Sequence, residues 1–266
     1  MKRLQYTGGI LAIMLCFTAC KKDNEFIYSG PALAEFSNPP SNVNTKTIYT
    51  ANVAVRDSGL LQLISAQVSG ETKMTWDTTG LKNTAKAPDH IEFENAFGQL
   101  SIPPNSSHHR FYFSVKPAAA GKSFSMELNG GDAKPNENTK KMTFNFTAAG
   151  MDFNPTSRTF RPAVEANDTI RIAITQAAAR FPVALTVKYK VNDSTATQPN
   201  QAVEGVDYEF ITPKGEVQIA PKAGSGYFVI RWKPTATIKR IWLSLVPATG
   251  LNMNSRTFVY TVNAPL

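Results

Sequence analysis

Laid over itself with a shift of 117 residues, the chain repeats. AEFSNP at 34–39 falls on MDFNPT at 151–156, so that Phe36 meets Phe153. The same shift brings HIEF (His90 to Phe93) onto DYEF (Asp207 to Phe210), and GQLSIPP onto GEVQIAP, pairing Gly98 with Gly215 and Ile102 with Ile219. FYFSVKP then lands on FVIRWKP and KSFSMEL on KRIWLSL, which pairs Phe111 with Phe228, Lys116 with Lys233 and Leu128 with Leu245. Only near the end does the register slip, by about one residue. A register held over roughly ninety residues marks the duplication of one domain, with the boundary near Gly150.

Each copy reads as β. Apolar and polar residues alternate in FYFSV, FSMEL, MTFNF, TIRIAI, FVIRW, IWLSL and FVYTV, and Gly, Pro, Asn and Ser clusters separate these runs. No segment carries a sustained helical stripe; LLQLISAQV and ITQAAARFPVAL are ambiguous. Short strands at regular spacing predict an all-β chain of two tandem immunoglobulin-like antiparallel sandwiches, one per copy. The alternation turns Phe111, Phe113 and Val115 inward in the first copy, and Phe228, Ile230 and Trp232 in the second.

The chain opens with a targeting segment. Lys2 and Arg3 precede a run of about a dozen mostly apolar residues, too short to span a bilayer, so residues 1–19 read as a signal peptide. Phe17, Thr18 and Ala19 before Cys20 resemble the lipobox of bacterial lipoproteins, which implies that Cys20 becomes the acylated first residue. Several acyl chains on one residue hold a protein on a membrane where one chain holds marginally. Lys21, Lys22, Asp23 and Glu25 resemble the export signal that carries Bacteroidota-type lipoproteins to the outer face of the outer membrane. The expected organisation is a signal peptide (1–19), a lipidated tether (20–26), a first sandwich (27–149) and a second (150–266).

Of the two cysteines among 266 residues, Cys16 leaves with the signal and Cys20 is the anchor, so no thiol remains for a disulfide and packing must supply the stability. The net charge is +8, and without Lys2 and Arg3 the basic excess is six. These residues are scattered, so the stripe that nucleic acid requires is missing.

The second copy carries a family likeness at GVDYEF, followed by GEVQI. Gly205, Asp207, Tyr208, Gly215, Val217 and Ile219 resemble the turn and following strand of the Calx-beta module. With its leader, the whole chain resembles Bacteroidota surface lipoproteins with Calx-beta-like or immunoglobulin-like domains associated with SusC and SusD glycan uptake. That resemblance implies an outer-membrane lipid anchor and a polysaccharide or SusC/SusD-like partner. Calx-beta modules of ion exchangers also bind calcium at one sandwich end. The acids available are Glu165, Asp168, Asp193, Glu204 and Asp207, of which Glu204 and Asp207 are the weak candidates. Calcium needs six to eight oxygens, and the final loop, PATGLNMNSR, has no carboxylate, so no metal is assigned.

Catalytic patterns are sparse, and no cofactor is called for. AAAGKS ends like a phosphate loop, but Lys116 stands where its first glycine belongs. His108 and His109 are adjacent and would point to opposite faces of a strand. No G-x-S-x-G occurs. Glu92 and Glu94 share a strand face, as do Asp207 and Glu209, an arrangement usual at solvated edges. The expectation is therefore no enzyme but a non-catalytic accessory glycan-binding component of an uptake system. The alternative is a structural or protein-interaction surface module. The ligand candidates are Trp242 and Arg240: in IKRIWLSLV, Ile241, Leu243 and Leu245 turn inward, leaving Arg240 and Trp242 outward. There an indole would suit stacking on sugar, unless a loop or the other domain covers it.

Overall fold

A computed structural model describes residues 31–37, 44–64, 69–162, 164–192, 200–254 and 256–264. The expected signal peptide, with Cys20, Lys21, Lys22, Asp23 and Glu25, lies outside the described residues, as does Asp193. Among the described residues, no helix is long and apolar enough to cross a membrane.

The protein is two tandem immunoglobulin-like β-sandwiches. The first is built from β1 (Leu33–Ser37), β2 (Thr45–Thr50), β3 (Val55–Ile64), β4 (Thr72–Asp77), β5 (Ile91–Phe93), β6 (Gln99–Ile102), β7 (His108–Val115), β8 (Ser123–Gly131), β9 (Lys134–Pro135) and β10 (Lys141–Asn154). The second adds β11 (Ser157–Phe160), β12 (Ala166–Ile174), β13 (Leu185–Val191), β14 (Tyr208–Phe210), β15 (Glu216–Ile219), β16 (Ser225–Trp232), β17 (Lys239–Leu245), β18 (Leu251–Met253) and β19 (Phe258–Val262).

The two halves share one topology. In the first, β5-β7-β3-β1-β9 faces a sheet of β6-β4-β8-β10 with β2 alongside β10. In the second, β14-β16-β12-β10, with β18 alongside β10, faces β15-β13-β17-β19-β11. Registers agree residue by residue: Ile91 opposes Val115 as Tyr208 opposes Trp232, and Trp76 opposes Leu128 as Tyr189 opposes Leu245. The slip read from the sequence falls in the last strand of each copy, where Phe124 opposes Phe144 but Ile241 opposes Tyr260. Phe111, Phe113 and Val115 are buried in one core, and Phe228, Ile230 and Trp232 in the other.

The expected boundary at Gly150 lies inside a strand. β10 closes the first sandwich with Lys141–Asn145 against β8 and opens the second with Met151–Asn154 against β12. Along its other edge β2 pairs with 143–148 and β18 with 149–151, so the ladder has no gap across the joint. Met142, Phe144 and Phe146 enter the first core; Ala149, Met151 and Phe153 enter the second. Since side chains alternate with period two, this change from even to odd numbers places the two cores on opposite faces of one strand. The small residues Ala148, Ala149 and Gly150 occupy the crossover.

The joint is packed as well as paired. Ala51 and Val55 of the first half belong to the second core. Thr50 Oγ1 donates to Gly250 O at 2.9 Å, and Asn52 Nδ2 to Thr186 O at 2.7 Å. Gly250 has φ +84°, and a Cβ there would sit 2.0 Å from Ala51 O, so only glycine fits. Leu33 pairs with Ile64 while Val55 packs at the joint, so β1 enters the first sandwich at its remote end.

Candidate functional site

In the first sandwich Trp76 stands one residue before the end of β4, its ring buried against Phe93 at 5.0 Å and Phe124 at 6.3 Å between centroids. The chain between β5 and β6 then folds back over it. Gly98 takes φ +84°, accessible chiefly to glycine, and its carbonyl accepts the Trp76 N–H at 3.0 Å. That turn sets Phe97 on Trp76 at 4.5 Å and beside Phe93 at 6.0 Å, while leaving 55% of Phe97 exposed. An aromatic ring is thus held rigidly by other rings beneath it and offered to solvent above.

Polar groups flank this ring. A cavity of about 600 Å³ runs over the outer side of β4 and β6, lined by Glu71, Lys73, Thr75, Glu94, Asn95, Gln99 and Ser101. A smaller one of about 280 Å³ lies beside it, lined by Ala87, Pro88, Ile91, Glu92, Phe93, Asn95 and Phe97, so Asn95 borders both. Every charge in the cleft has an opposite one close by. Arg56 grips Glu94 through two hydrogen bonds, of 2.5 and 2.8 Å, and lies 3.8 Å over the Tyr112 ring. Lys116 is 3.6 Å from Glu92, and Lys73 3.7 Å from Glu71. The Arg56 hydrogen bonds hold the Glu94 carboxyl below its ordinary range, which keeps it an acceptor.

The second sandwich builds the turn beside the smaller cavity with other residues. Tyr189 replaces Trp76, Phe210 replaces Phe93, and Gly215, with φ +93°, accepts the Tyr189 N–H at 3.0 Å. At the place of Phe97 stands Lys214, whose ammonium lies 5.5 Å over the Phe210 ring and pairs with Glu204. Lysine and glutamate thus hold this turn without an exposed ring. The cavity beside it, about 860 Å³, is lined by Tyr189, Lys190, Gln201, Glu204, Tyr208 and Lys214 among others. Burial pushes the Tyr189 and Tyr208 hydroxyls up to about 12.

The residues singled out from the sequence fare differently. Trp242 is only 6% exposed, which corrects the expectation of an outward stacking surface. The alternation did give its face, for Ile241, Leu243 and Leu245 belong to the second core and Trp242 does not. But β17 is the central strand of its sheet, with Val259 opposite Trp242 on one side and Asn192 N–H bonded to Trp242 O on the other. Such a residue has neighbours on both flanks, and the indole is not open for stacking. Arg240 is half-buried, and its backbone N–H and C=O are bonded to Asn200 and Ala202.

The calcium candidates do not converge. Asp207 caps its own turn, accepting the Val203 N–H at 2.8 Å, and lies 3.3 Å from Lys239. Glu204 pairs with Lys214, Asp168 with Arg158, and Glu165 lies 3.9 Å from Arg231. Among the described residues no set of three or more His, Cys, Asp and Glu side chains is placed to hold a metal. Glu209 pairs with Arg231. Gly121 forms a turn between a short 3-10 helix, Pro117–Ala119, and β8, so the phosphate-loop likeness has no helix to open.

Sequence reasoning missed Phe97. It lies in a turn, outside any strand periodicity, and its one signal was its alignment with Lys214, an aromatic matched to a charge.

No family model matches the chain. No curated protein matches it either. Among solved structures it is similar to the I9-I11 tandem from titin, at 8% identity and a TM-score of 0.35, over 87% of this chain and 66% of that one. It is also similar to the Yersinia pseudotuberculosis adhesin InvE, at 10% identity and a TM-score of 0.29, over 85% of this chain and 58% of that one. The chain therefore spans about two thirds of the length of the first and somewhat less of the second.

Proposed function

We propose that this protein is a non-catalytic cell-surface lipoprotein, held in the outer membrane through Cys20, whose two sandwiches form one stiff unit that presents a binding surface beside an uptake system. The observation that carries this reading is the shared strand. A flexible linker would let the second sandwich swing, whereas β10 is hydrogen-bonded along both edges through most of its length and has no gap on the β2 and β18 side. The entry of β1 at the end remote from the joint supports it, since an anchor there directs the second sandwich away from the membrane. A glycan is the ligand class that fits an accessory role of this kind, with a SusC/SusD-like assembly as the neighbouring partner.

The address is tested in intact cells. The wild-type chain is expected to take up a palmitate analogue and to be digested by external protease. Cys20→Ala is expected to abolish labelling and release the chain from membranes. Deleting Lys21 to Glu25 should leave the lipid but protect the chain from protease. A wild-type chain that takes up no lipid would contradict the anchor, and a deletion without effect on accessibility would contradict surface export.

A further inference from the structure

We propose that the cleft around Phe97 is a binding site for an uncharged, hydroxyl-rich saccharide. The inference rests on the surface-presentation reading for its biological setting, but its evidence is local and independent of the joint.

The two copies fold the same turn over the same aromatic position, with Gly98 and Gly215 in matching conformations. Because Lys214 serves that turn in the second copy, the fold does not require an aromatic at position 97. Yet Phe97 is among the most exposed large apolar side chains of the described residues, although its ring is fixed against Trp76 and Phe93. A rigid exposed ring costs no ordering on binding and suits the apolar face of a pyranose.

Phe97 borders the smaller cavity, which Asn95 joins to the larger one, and there Gln99, Thr75 and Ser101 offer, with Asn95, amide and hydroxyl groups that both donate and accept, matching a ligand whose hydroxyls do the same. The charges are balanced as well. Glu94 with Arg56, Glu92 with Lys116 and Glu71 with Lys73 leave the cleft without net charge, which gives an acidic polymer or a cation no electrostatic preference. The second cleft lacks the platform, so the two copies are expected to differ in binding although they agree in fold.

The test uses the full chain, solubilised in mild detergent, on an array of neutral gluco-, manno-, galacto- and xylo-oligosaccharides with uronate-bearing and sulfated ones alongside. The wild type is expected to bind at least one neutral series. Phe97→Lys, which copies the residue of the second sandwich, and Phe97→Ala should each weaken that binding at least about tenfold, with the melting temperature unchanged within a few degrees. Gln99→Ala should weaken it less, and Lys214→Ala not at all. No neutral binder, binding confined to acidic glycans, or full binding by Phe97→Lys would overturn the proposal. So would capture of extended peptides in place of sugars. Each of these failures leaves the stiff joint standing, since the joint is measured separately.

Discussion

The two sandwiches solve the same packing problem with different residues. In the first, Lys46 on β2 reaches across to β3, where Asp57 Oδ1 accepts at 2.5 Å and Ser58 O at 2.8 Å, with both charged side chains about a quarter exposed. In the second the matching positions hold Arg158 on β11 and Asp168 on β12. There the carboxylate is only 8% exposed, takes two hydrogen bonds from the guanidinium, and also accepts the Tyr260 hydroxyl. Phe144, the counterpart of Tyr260, needs no such partner. The cores differ likewise: the Phe111 ring fills the space over Gly59, where a Cβ would come within 2.1 Å of it, while Phe228 stacks on Tyr189 at 4.2 Å. The fold conserves positions and directions, and the depth of burial decides what each position must hold.

Several substitutions put that comparison at risk, the largest effect first. Phe111→Ala and Phe228→Ala should each cost about 3 to 5 kcal/mol, because both rings are fully buried at equivalent places. Denaturant unfolding of the two variants checks this. A small loss at one site only would show that the cores are not equivalent.

The ion pairs should separate the copies. Asp168→Ala leaves a buried phenol without its acceptor and a guanidinium without its partner, at about 2 to 3 kcal/mol. Asp57→Ala, at a site more open to water, should cost about 1 kcal/mol or less. Equal losses would mean that burial does not set the strength of these bridges.

Alkaline pH should act on one copy. Burial raises the Tyr189 and Tyr208 hydroxyls to about 12, and raises Tyr260 further, with the Asp168 hydrogen bond adding to it; all three lie in the second sandwich. A group whose value is raised by folding stabilises the fold fully below its unfolded value of about 10, and that stability is lost as the pH climbs through the folded value. Between about pH 10 and 12 the second sandwich should therefore weaken before the first, with tyrosinate appearing cooperatively as it opens. Ionisation of Tyr189, Tyr208 or Tyr260 near pH 10 without unfolding, read as the tyrosinate signal lost in the matching Tyr→Phe variant, would contradict this burial.

Much of this could be read in the chain and some could not, for physical reasons. Period-two alternation and the 117-residue shift place Phe36 with Phe153 and Phe111 with Phe228, because core strands fix both register and face. The bridges Lys46–Asp57 and Arg158–Asp168 escape that shift, since loops of unequal length precede them. MTFNFTAAGMDF reads as two strands with a boundary because its alternation breaks at Thr147–Gly150. In the fold the strand runs on while its buried face changes, at Gly150, where a Cβ would come within 2.2 Å of Thr175 Oγ1. Alternation gave Trp242 its face but says nothing of its flanks, and Phe97 sits in a turn where no periodicity operates.

The stiffness of the unit depends above all on β10 as a strand common to both sandwiches. Its most direct test is the distance distribution between spin labels on two exposed strand positions, Asn129 in β8 and Arg171 in β12, measured by pulsed electron resonance on the full chain. A single narrow distribution, unchanged when the first core is left intact and solution conditions vary, is the predicted result. A broad distribution, with the second sandwich moving independently of the first, would contradict the shared strand and the stiff unit built on it.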